Sequence, residues 1–123
     1  MHELSVCRAL LTQVAGIAMD RGASAVERIT IEVGPLSGIE PALLAGAFEV
    51  LRSGGCAAQA VLSIESPPVM IRCLSCSAHS RTEPNRLVCG ACGGFRTQVV
   101  AGDELRLRRV ELRVPERLRA SAN

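Results

Sequence analysis

The 123-residue sequence contains no Lys, Trp or Tyr, and Phe48 and Phe95 are its only aromatic residues. Without Lys, the chain cannot form a phosphate-cradling loop that ends in Gly-Lys-Ser/Thr, so that mode of nucleotide binding is excluded. With so few aromatic side chains, nucleic-acid bases would find no platform for stacking. Hydrophobic residues still make up 48% of the sequence. The core of a single modest domain must therefore come from Leu, Val, Ile and Ala.

Long hydrophobic runs are also missing, because no stretch approaches the roughly 20 apolar residues that a membrane helix needs. Residues 1–20 open with His and Glu, where a signal peptide would carry basic residues. We therefore expect a cytoplasmic protein with no membrane partner. In that reducing compartment, six cysteines favour metal ligands and free thiols over a disulfide framework.

All fourteen basic residues are Arg, and they are unevenly distributed along the chain. Residues 1–66 hold four Arg and seven acidic residues, whereas residues 67–123 hold ten Arg and five acidic residues. A basic C-terminal half could meet an acidic partner surface or nucleic acid. A solvated, Arg-rich strand and tail is the simpler interpretation of the same composition, and we favour it.

The apolar residues recur at two different periods. Helical spacing predicts helices over residues 3–21 and 41–52, and alternation predicts strands over residues 26–33, 60–65, 69–72 and 103–114. The order strand, helix, strand implies a parallel pair with a right-handed crossover. We therefore predict an α/β fold in which two helices pack against a small three-stranded mixed sheet. A four-cysteine, zinc-ribbon-like domain is inserted before the last strand.

Four of the cysteines form two Cys-x-x-Cys pairs, Cys73 with Cys76 and Cys89 with Cys92, with twelve residues between the pairs. Thiolates two residues apart on a tight turn can occupy two corners of a Zn²⁺ tetrahedron, so two such turns complete its ligand shell. The sequence favours structural zinc here. An iron–sulfur or other metal site and a redox dithiol are the alternatives. A closed shell of four thiolates leaves no position for a substrate.

Three other residues could contribute to such chemistry. His79 lies three residues beyond Cys76 and could replace a thiolate or accept a hydrogen bond, but an exposed loop histidine is the simpler interpretation. Cys7 and Cys56 lie outside the two pairs and are interpreted as small hydrophobic residues, with Cys7 on the buried face of the first helix.

The first residues offer a second kind of site. Met1 and His2 supply an α-amine, a peptide nitrogen and an imidazole, which can chelate one square-planar Ni(II) or Cu(II) ion, and Glu3 adds an adjacent carboxylate. We expect Met1 to be retained because His2 is bulky. Protons compete for these nitrogens, so binding should weaken on acidification. By itself, however, a second-position histidine is more often part of an ordinary solvated terminus.

Several segments together resemble the hydrogenase nickel-incorporation protein family HypA/HybF. These are residues 1–5 (MHELS), residues 34–41 (GPLSGIEP), residues 48–51 (FEVL) and the two Cys-x-x-Cys pairs. The resemblance covers residues 1–114 approximately. It implies a non-enzymatic metallochaperone that delivers Ni(II) to the large subunit of [NiFe] hydrogenase, together with a partner GTPase. In some members of the family, urease is also served.

The resemblance also implies which residues hold each metal. Nickel would be transported by Met1 and His2, with Glu3 as the adjacent acid, and structural zinc would be held by Cys73, Cys76, Cys89 and Cys92. The fourth nickel ligand stays open among Glu3, a water and a partner's side chain. We expect a monomer or weak homodimer.

The corresponding domain prediction divides the chain into three parts. Residues 1–68 and 101–117 form a nickel-binding α/β domain, residues 69–100 form the inserted zinc-binding domain, and residues 118–123 form a flexible tail.

Two other functions compete with the metallochaperone. The first is a zinc-ribbon module that binds nucleic acid or protein through its Arg-rich C-terminal half, with the first three residues incidental; its nucleic-acid affinity would fall steeply with salt. The second is an enzyme, which the sequence does not support because no set of nucleophile, base and orienting residue is recognisable.

Overall fold

The computed structural model describes residues 2–115 and contains two helices and six strands. The elements are α1 (His2–Asp20), β1 (Ala25–Val33), α2 (Pro41–Leu51), β2 (Val61–Glu65), β3 (Val69–Cys73), β4 (His79–Thr82), β5 (Thr97–Ala101) and β6 (Leu105–Arg113). None of the described helices is long and apolar enough to cross a membrane. Met1 and the predicted tail at 118–123 lie outside the described residues.

The first compact unit consists, within the described chain, of residues 2–31, 40–64 and 107–115. Its sheet has the strand order β2-β1-β6. β1 and β6 are antiparallel, because the Ser24 amide donates to the Arg113 carbonyl at one end and the Gly34 amide donates to the Glu104 carbonyl at the other. The sheet is mixed, so β2 runs parallel to β1. The predicted fold class is therefore confirmed.

The core of this unit lies where the two helices contact each other, and residues of the central strand are among its buried side chains. Its fully buried side chains are Val14 of α1, Val26 and Ile29 of β1, and Leu44 of α2; Phe48 is only 2% exposed. Burying each such aliphatic or aromatic side chain contributes roughly 1.5–3 kcal/mol, so these contacts dominate the stability of the unit.

Both predicted helices are present; α1 begins and ends one residue earlier than predicted, and α2 ends one residue earlier. In α1 the buried residues are Cys7, Leu10, Val14 and Ala18, so Cys7 lies on the buried face as predicted. Gly22 ends this helix with φ 64°, a left-handed conformation that suits glycine. Thr30 is a buried polar residue of β1, the central strand of this sheet.

α2 begins at a proline in its first turn, as the sequence indicated, and is followed by Arg52. The Arg52 side chain folds back over the loop after the helix. Its guanidinium lies 4.6 Å from the centre of the Phe48 ring, and it donates hydrogen bonds to the carbonyl oxygens of Ala58, at 3.1 Å, and Ala60. This single side chain thus fixes the loop between α2 and β2.

The second compact unit contains residues 32–39 and 65–106. Its sheet has the order β4-β3-β5, and β3 pairs antiparallel with both neighbours. The sequence did not indicate β4 and β5. Both are short strands without the sustained alternation of polar and apolar residues that predicts a strand. Pairing with β3 stabilises their extended conformation. The predicted domain boundaries at residues 68–69 and 100–101 stay a prediction.

Two glycines in the second unit pack backbone against backbone. A Cβ atom at Gly34 would lie 2.3 Å from the carbonyl oxygen of Gly102, a separation that no relaxed structure tolerates. Gly102 itself has φ 99° and would place a Cβ atom 2.8 Å from the Cα atom of Val69. A side chain at either position therefore requires the backbone to move.

We predict that Gly34→Ala lowers the free energy of unfolding of the zinc-loaded protein by about 1–3 kcal/mol, because the methyl group overpacks a closed backbone contact. Gly46→Ala is the matched control. Gly46 lies inside α2, a Cβ atom there meets nothing within 4 Å, and removing a helical glycine should stabilise by about 0.5–1 kcal/mol. Denaturant titration followed by circular dichroism measures both. Equal stability of the two variants would contradict the packing described.

Candidate metal centres

The first Cys-x-x-Cys pair forms a tight turn at the end of β3. Cys73 is the last residue of the strand and is fully buried, while Cys76 is exposed. The backbone amides of Ser75 and Cys76 both point at the Cys73 Sγ atom, at 3.4 Å. The turn closes when the Ser77 amide donates to the Cys73 carbonyl at 3.0 Å.

The second pair repeats this geometry without belonging to a strand. The amides of Ala91 and Cys92 lie 3.3 and 3.4 Å from the Cys89 Sγ atom, and the Gly93 amide donates to the Cys89 carbonyl at 3.0 Å. Gly93 has φ 74°. In each turn, the residue after the second cysteine has a left-handed backbone conformation. This conformation turns the chain back under the sulfur.

Ser77 occupies in the first turn the position that Gly93 occupies in the second. Its φ is 64°, and it is the one non-glycine residue with positive φ among residues 2–115. A left-handed backbone costs an ordinary side chain roughly 1 kcal/mol relative to glycine. The first turn therefore holds some backbone strain that the second turn avoids.

The two turns bring all four thiols together. Their sulfur atoms lie within 4.8 Å of one another, and the closest pairs across the turns are Cys73 with Cys92 at 3.7 Å and Cys76 with Cys89 at 3.6 Å. With Zn–S bonds of about 2.3 Å, the edge of a zinc tetrahedron is about 3.8 Å. The distances therefore fit one tetrahedral ion. Clusters of several irons fit less well, since their thiolates each bind a different iron and must stand farther apart.

The same backbone amides lower the pKa of two of the four thiols. The Cys92 amide, followed by the Ala91 amide, lowers the pKa of Cys89 to about 6, and the amides of Cys76 and Ser75 lower the pKa of Cys73. For Cys76, an amide hydrogen bond from Ala78 is outweighed by Cys89, by desolvation and by Cys73 and Cys92, which together raise its pKa to about 11. Backbone amides thus favour the thiolate at one cysteine of each pair, and a bound cation would stabilise all four.

The N-terminal residues differ from the cysteine group in their exposure and in their contacts. Met1 lies outside the described residues, and His2 begins α1 as an exposed side chain. The Glu3 carboxylate accepts a hydrogen bond of 3.2 Å from the Glu40 amide, at the residue that precedes α2. This bond ties the beginning of α1 to the beginning of α2. It also lowers the pKa of Glu3, with smaller contributions from the backbone of Glu3 itself and from His2.

Within residues 2–115, the four cysteines are the one group of three or more His, Cys, Asp or Glu side chains that could hold a metal. His79 is not part of it; this residue lies on β4, exposed and paired with Arg72, rather than in a loop. Cys7 and Cys56 also lie outside the group. Burial raises the pKa of the Cys7 thiol, as expected for an inert core cysteine.

Sequence reasoning identified the four cysteines and missed what shapes their turns. The left-handed conformation of Ser77 had no signal in the sequence, although its position matches that of Gly93 in the second pair. The Glu3–Glu40 hydrogen bond was also unforeseen, because it joins residues 37 positions apart.

The fold and this site define a small α/β metal-binding protein whose second unit is organised around four converging thiols. Residues 1–112 match the family model described as hydrogenase/urease nickel incorporation, metallochaperone, hypA. The chain therefore belongs to the HypA family of nickel metallochaperones, as its N-terminal and cysteine motifs had indicated. A four-cysteine zinc cluster with transported nickel fits this family.

Individual relatives agree over nearly their whole length. The chain is 40% identical to the hydrogenase maturation factor HypA of Nitrosospira multiformis, covering 91% of this chain and 97% of that protein. It is 35% identical to the HypA of Aquifex aeolicus, covering 93% and 99%. The solution structure of the nickel metallochaperone HypA from Helicobacter pylori superimposes with a TM-score of 0.67 at 26% identity, covering 92% of this chain and 98% of that one.

We predict that Ser77→Gly raises the melting temperature of the zinc-loaded protein, by an amount that corresponds to up to about 1 kcal/mol, because glycine accepts the left-handed backbone without strain. Ser75→Gly is the control in the same turn; its φ is not positive, so added flexibility of the unfolded chain should leave it neutral or less stable. Scanning calorimetry distinguishes the two. A lower melting temperature for Ser77→Gly would contradict the strain.

We predict that the amide proton of Glu40 follows the ionisation of Glu3 in an NMR pH titration. The pKa of Glu3 is lowered, so its carboxylate should keep the hydrogen bond through the ordinary titration range of a glutamate and lose it only as the pH falls through the lowered value. Glu3→Gln provides the control, because a glutamine side chain does not ionise in this pH range. An identical titration curve in both proteins would contradict the bond.

Proposed function

We propose that this protein is a nickel metallochaperone that binds Ni(II) at its N-terminus and delivers it to the large subunit of [NiFe] hydrogenase during maturation. The match to the family model over residues 1–112 is the observation that carries this proposal. The description of that family includes urease, so urease is a possible second recipient. Family membership does not favour the alternative of a zinc-ribbon module that binds nucleic acid.

The proposed nickel ligands are the α-amine of Met1 and the peptide nitrogen and imidazole of His2. Exposure of His2 at the beginning of α1 supports this assignment, because an acceptor protein can then replace the nitrogens one at a time. Glu3 is the adjacent acid. Its carboxylate accepts a hydrogen bond from the Glu40 amide through one oxygen, Oε2, so we infer that Glu3 positions the terminus while its other oxygen stays available as a nickel ligand. A water or a partner's side chain is the other source of the fourth ligand.

The proposed zinc ligands are Cys73, Cys76, Cys89 and Cys92. Convergence of their sulfur atoms within 4.8 Å supports one shared ion. Four thiolates complete the shell of Zn²⁺, so the ion would stabilise the second unit and would have no open position for catalysis. On this assignment, zinc is bound by the cysteines and the transported nickel is bound at the N-terminus. The protein would then act as a maturation factor rather than an enzyme.

The proposed partners follow from the proposed delivery of nickel to hydrogenase. We infer that the protein works in the cytoplasm with a partner GTPase and with the hydrogenase large subunit, and that it is a monomer or a weak homodimer. Divalent copper binds nitrogen ligands more tightly than nickel. Selectivity must therefore come from the availability of the metal and from contacts with these partners.

We predict that His2→Ala abolishes stoichiometric Ni(II) binding while zinc content and helicity stay unchanged, because the chelate loses its imidazole. His79→Ala is the matched control, since it removes the other histidine of the chain and should leave nickel binding intact. Isothermal titration calorimetry of tag-free, zinc-loaded protein measures binding, and elemental analysis measures zinc.

Acetylation of the N-terminus gives an independent control for the same chelate. Acetylation converts the α-amine into an amide, which is a poor metal ligand, and it changes no side chain. It should therefore also abolish nickel binding. Unchanged nickel affinity in either His2→Ala or the acetylated protein would overturn the proposed site.

A further inference from the structure

A groove of about 290 Å³ lies between α1 and β6 in the first compact unit. One wall is a single stripe of α1, and the other is the edge of β6. The lining residues are Gln13, Ile17, Arg21, Leu107, Arg108, Arg109, Val110 and Leu112. None of them belongs to the cysteine group or to the first three residues, so the groove is separate from both metal centres.

The groove has an apolar floor and a basic rim. Ile17, Leu107 and Val110 are half-buried, whereas Arg21 and Arg109 are exposed. The volume lies at the lower end of the roughly 300–1,000 Å³ typical of small-molecule pockets. It is wide enough for a few side chains of a bound segment rather than for a whole cofactor.

Two of the three arginines that line the groove, Arg21 and Arg109, have no charge partner inside the described chain. The arginines nearby are matched to acids: Arg28 lies 3.6 Å from Glu111, and Arg113 lies 3.1 Å from Glu27. By contrast, the guanidinium groups of Arg21 and Arg109 form no hydrogen bond or ion pair with any other residue of 2–115. No carboxylate is among the lining residues. The groove therefore presents positive charge that an acidic partner would complement.

Because β6 lies at the edge of its sheet, we expect the part of such a partner that binds here to be an extended segment. β6 is an edge strand, with β1 as its one neighbour in the sheet of the described chain. An edge strand offers unpaired backbone groups to an added extended segment. Arginine side chains along an edge discourage pairing with another neutral or basic strand. The same side chains favour a strand that carries acidic residues.

We propose that this groove docks an extended, acidic segment of a protein partner. Alternate side chains of a strand point to opposite sides, so apolar residues of the segment would enter the groove while its carboxylates meet Arg21 and Arg109. Nucleic acid is the less suited occupant, because no aromatic side chain lines the groove for base stacking. The inference goes beyond nickel transport and does not use Met1, His2 or Glu3.

The test uses the full-length, zinc-loaded, nickel-free protein and two synthetic twelve-residue peptides, one of alternating Val and Glu and one of alternating Val and Arg. We expect the acidic peptide to shift the amide NMR signals of residues 107–112 and 13–21, with an affinity that falls as salt increases. Arg21→Gln with Arg109→Gln should weaken binding about tenfold. The control is Arg8→Gln with Arg96→Gln, which removes the same charge from exposed residues outside the groove and should leave affinity unchanged.

Three outcomes would overturn the proposal. The first is equal affinity for the two peptides, and the second is equal weakening by the two double variants, which would indicate a general charge effect. The third is tighter binding of a twelve-nucleotide DNA strand than of the acidic peptide with the same dependence on Arg21 and Arg109, which would assign the groove to nucleic acid. Because nickel is absent throughout, failure here is distinguishable from failure of the N-terminal chelate.

Discussion

Mutual repulsion of four closely spaced sulfur atoms is the constraint on which the second unit depends. Thiols at 3.6 and 3.7 Å from one another cannot all ionise without a cation. The neighbouring sulfurs accordingly raise the pKa of Cys76, whereas backbone amides lower that of Cys89. Amide hydrogen bonds stabilise one thiolate in each turn. A cation at the centre would neutralise the remaining charge and would join the end of β3 to a segment that has no regular structure of its own.

This constraint explains the division of labour between the two proposed metals. An ion enclosed by four thiolates is difficult to remove, and it has no vacant position through which an acceptor could attack. An ion at an exposed chain terminus has the opposite properties, because each nitrogen can leave independently. A carrier needs a stable scaffold and a labile site, and one chain can supply both only by using different donor atoms in different places.

The hydrogen bond from the Glu40 amide to Glu3 adds a structural link to the labile site. It connects the first turn of α1 to the residue before α2, so the position of the proposed chelate depends on the packing of the two helices. The basic groove between α1 and β6 shares α1 with this arrangement. A partner that docks in the groove would therefore bind the same helix that begins at His2, without requiring any contact with the nickel ligands.

The sequence by itself determined the elements with strong periodicity and the grouping of the four cysteines as candidate ligands. α1, α2, β1 and β6 follow from the spacing of apolar residues, and the cysteine pairs are recognisable because ligand spacing is a local property of the chain. Only the tertiary structure decided which residues are brought together from a distance. The pairing of β5 with β3, the contact of Gly34 with Gly102 and the bond between Glu3 and Glu40 join residues far apart in the chain, and local patterns do not predict such neighbours. The β3–β4 pairing and the left-handed conformation of Ser77 are local, but the residues there give no signal of them.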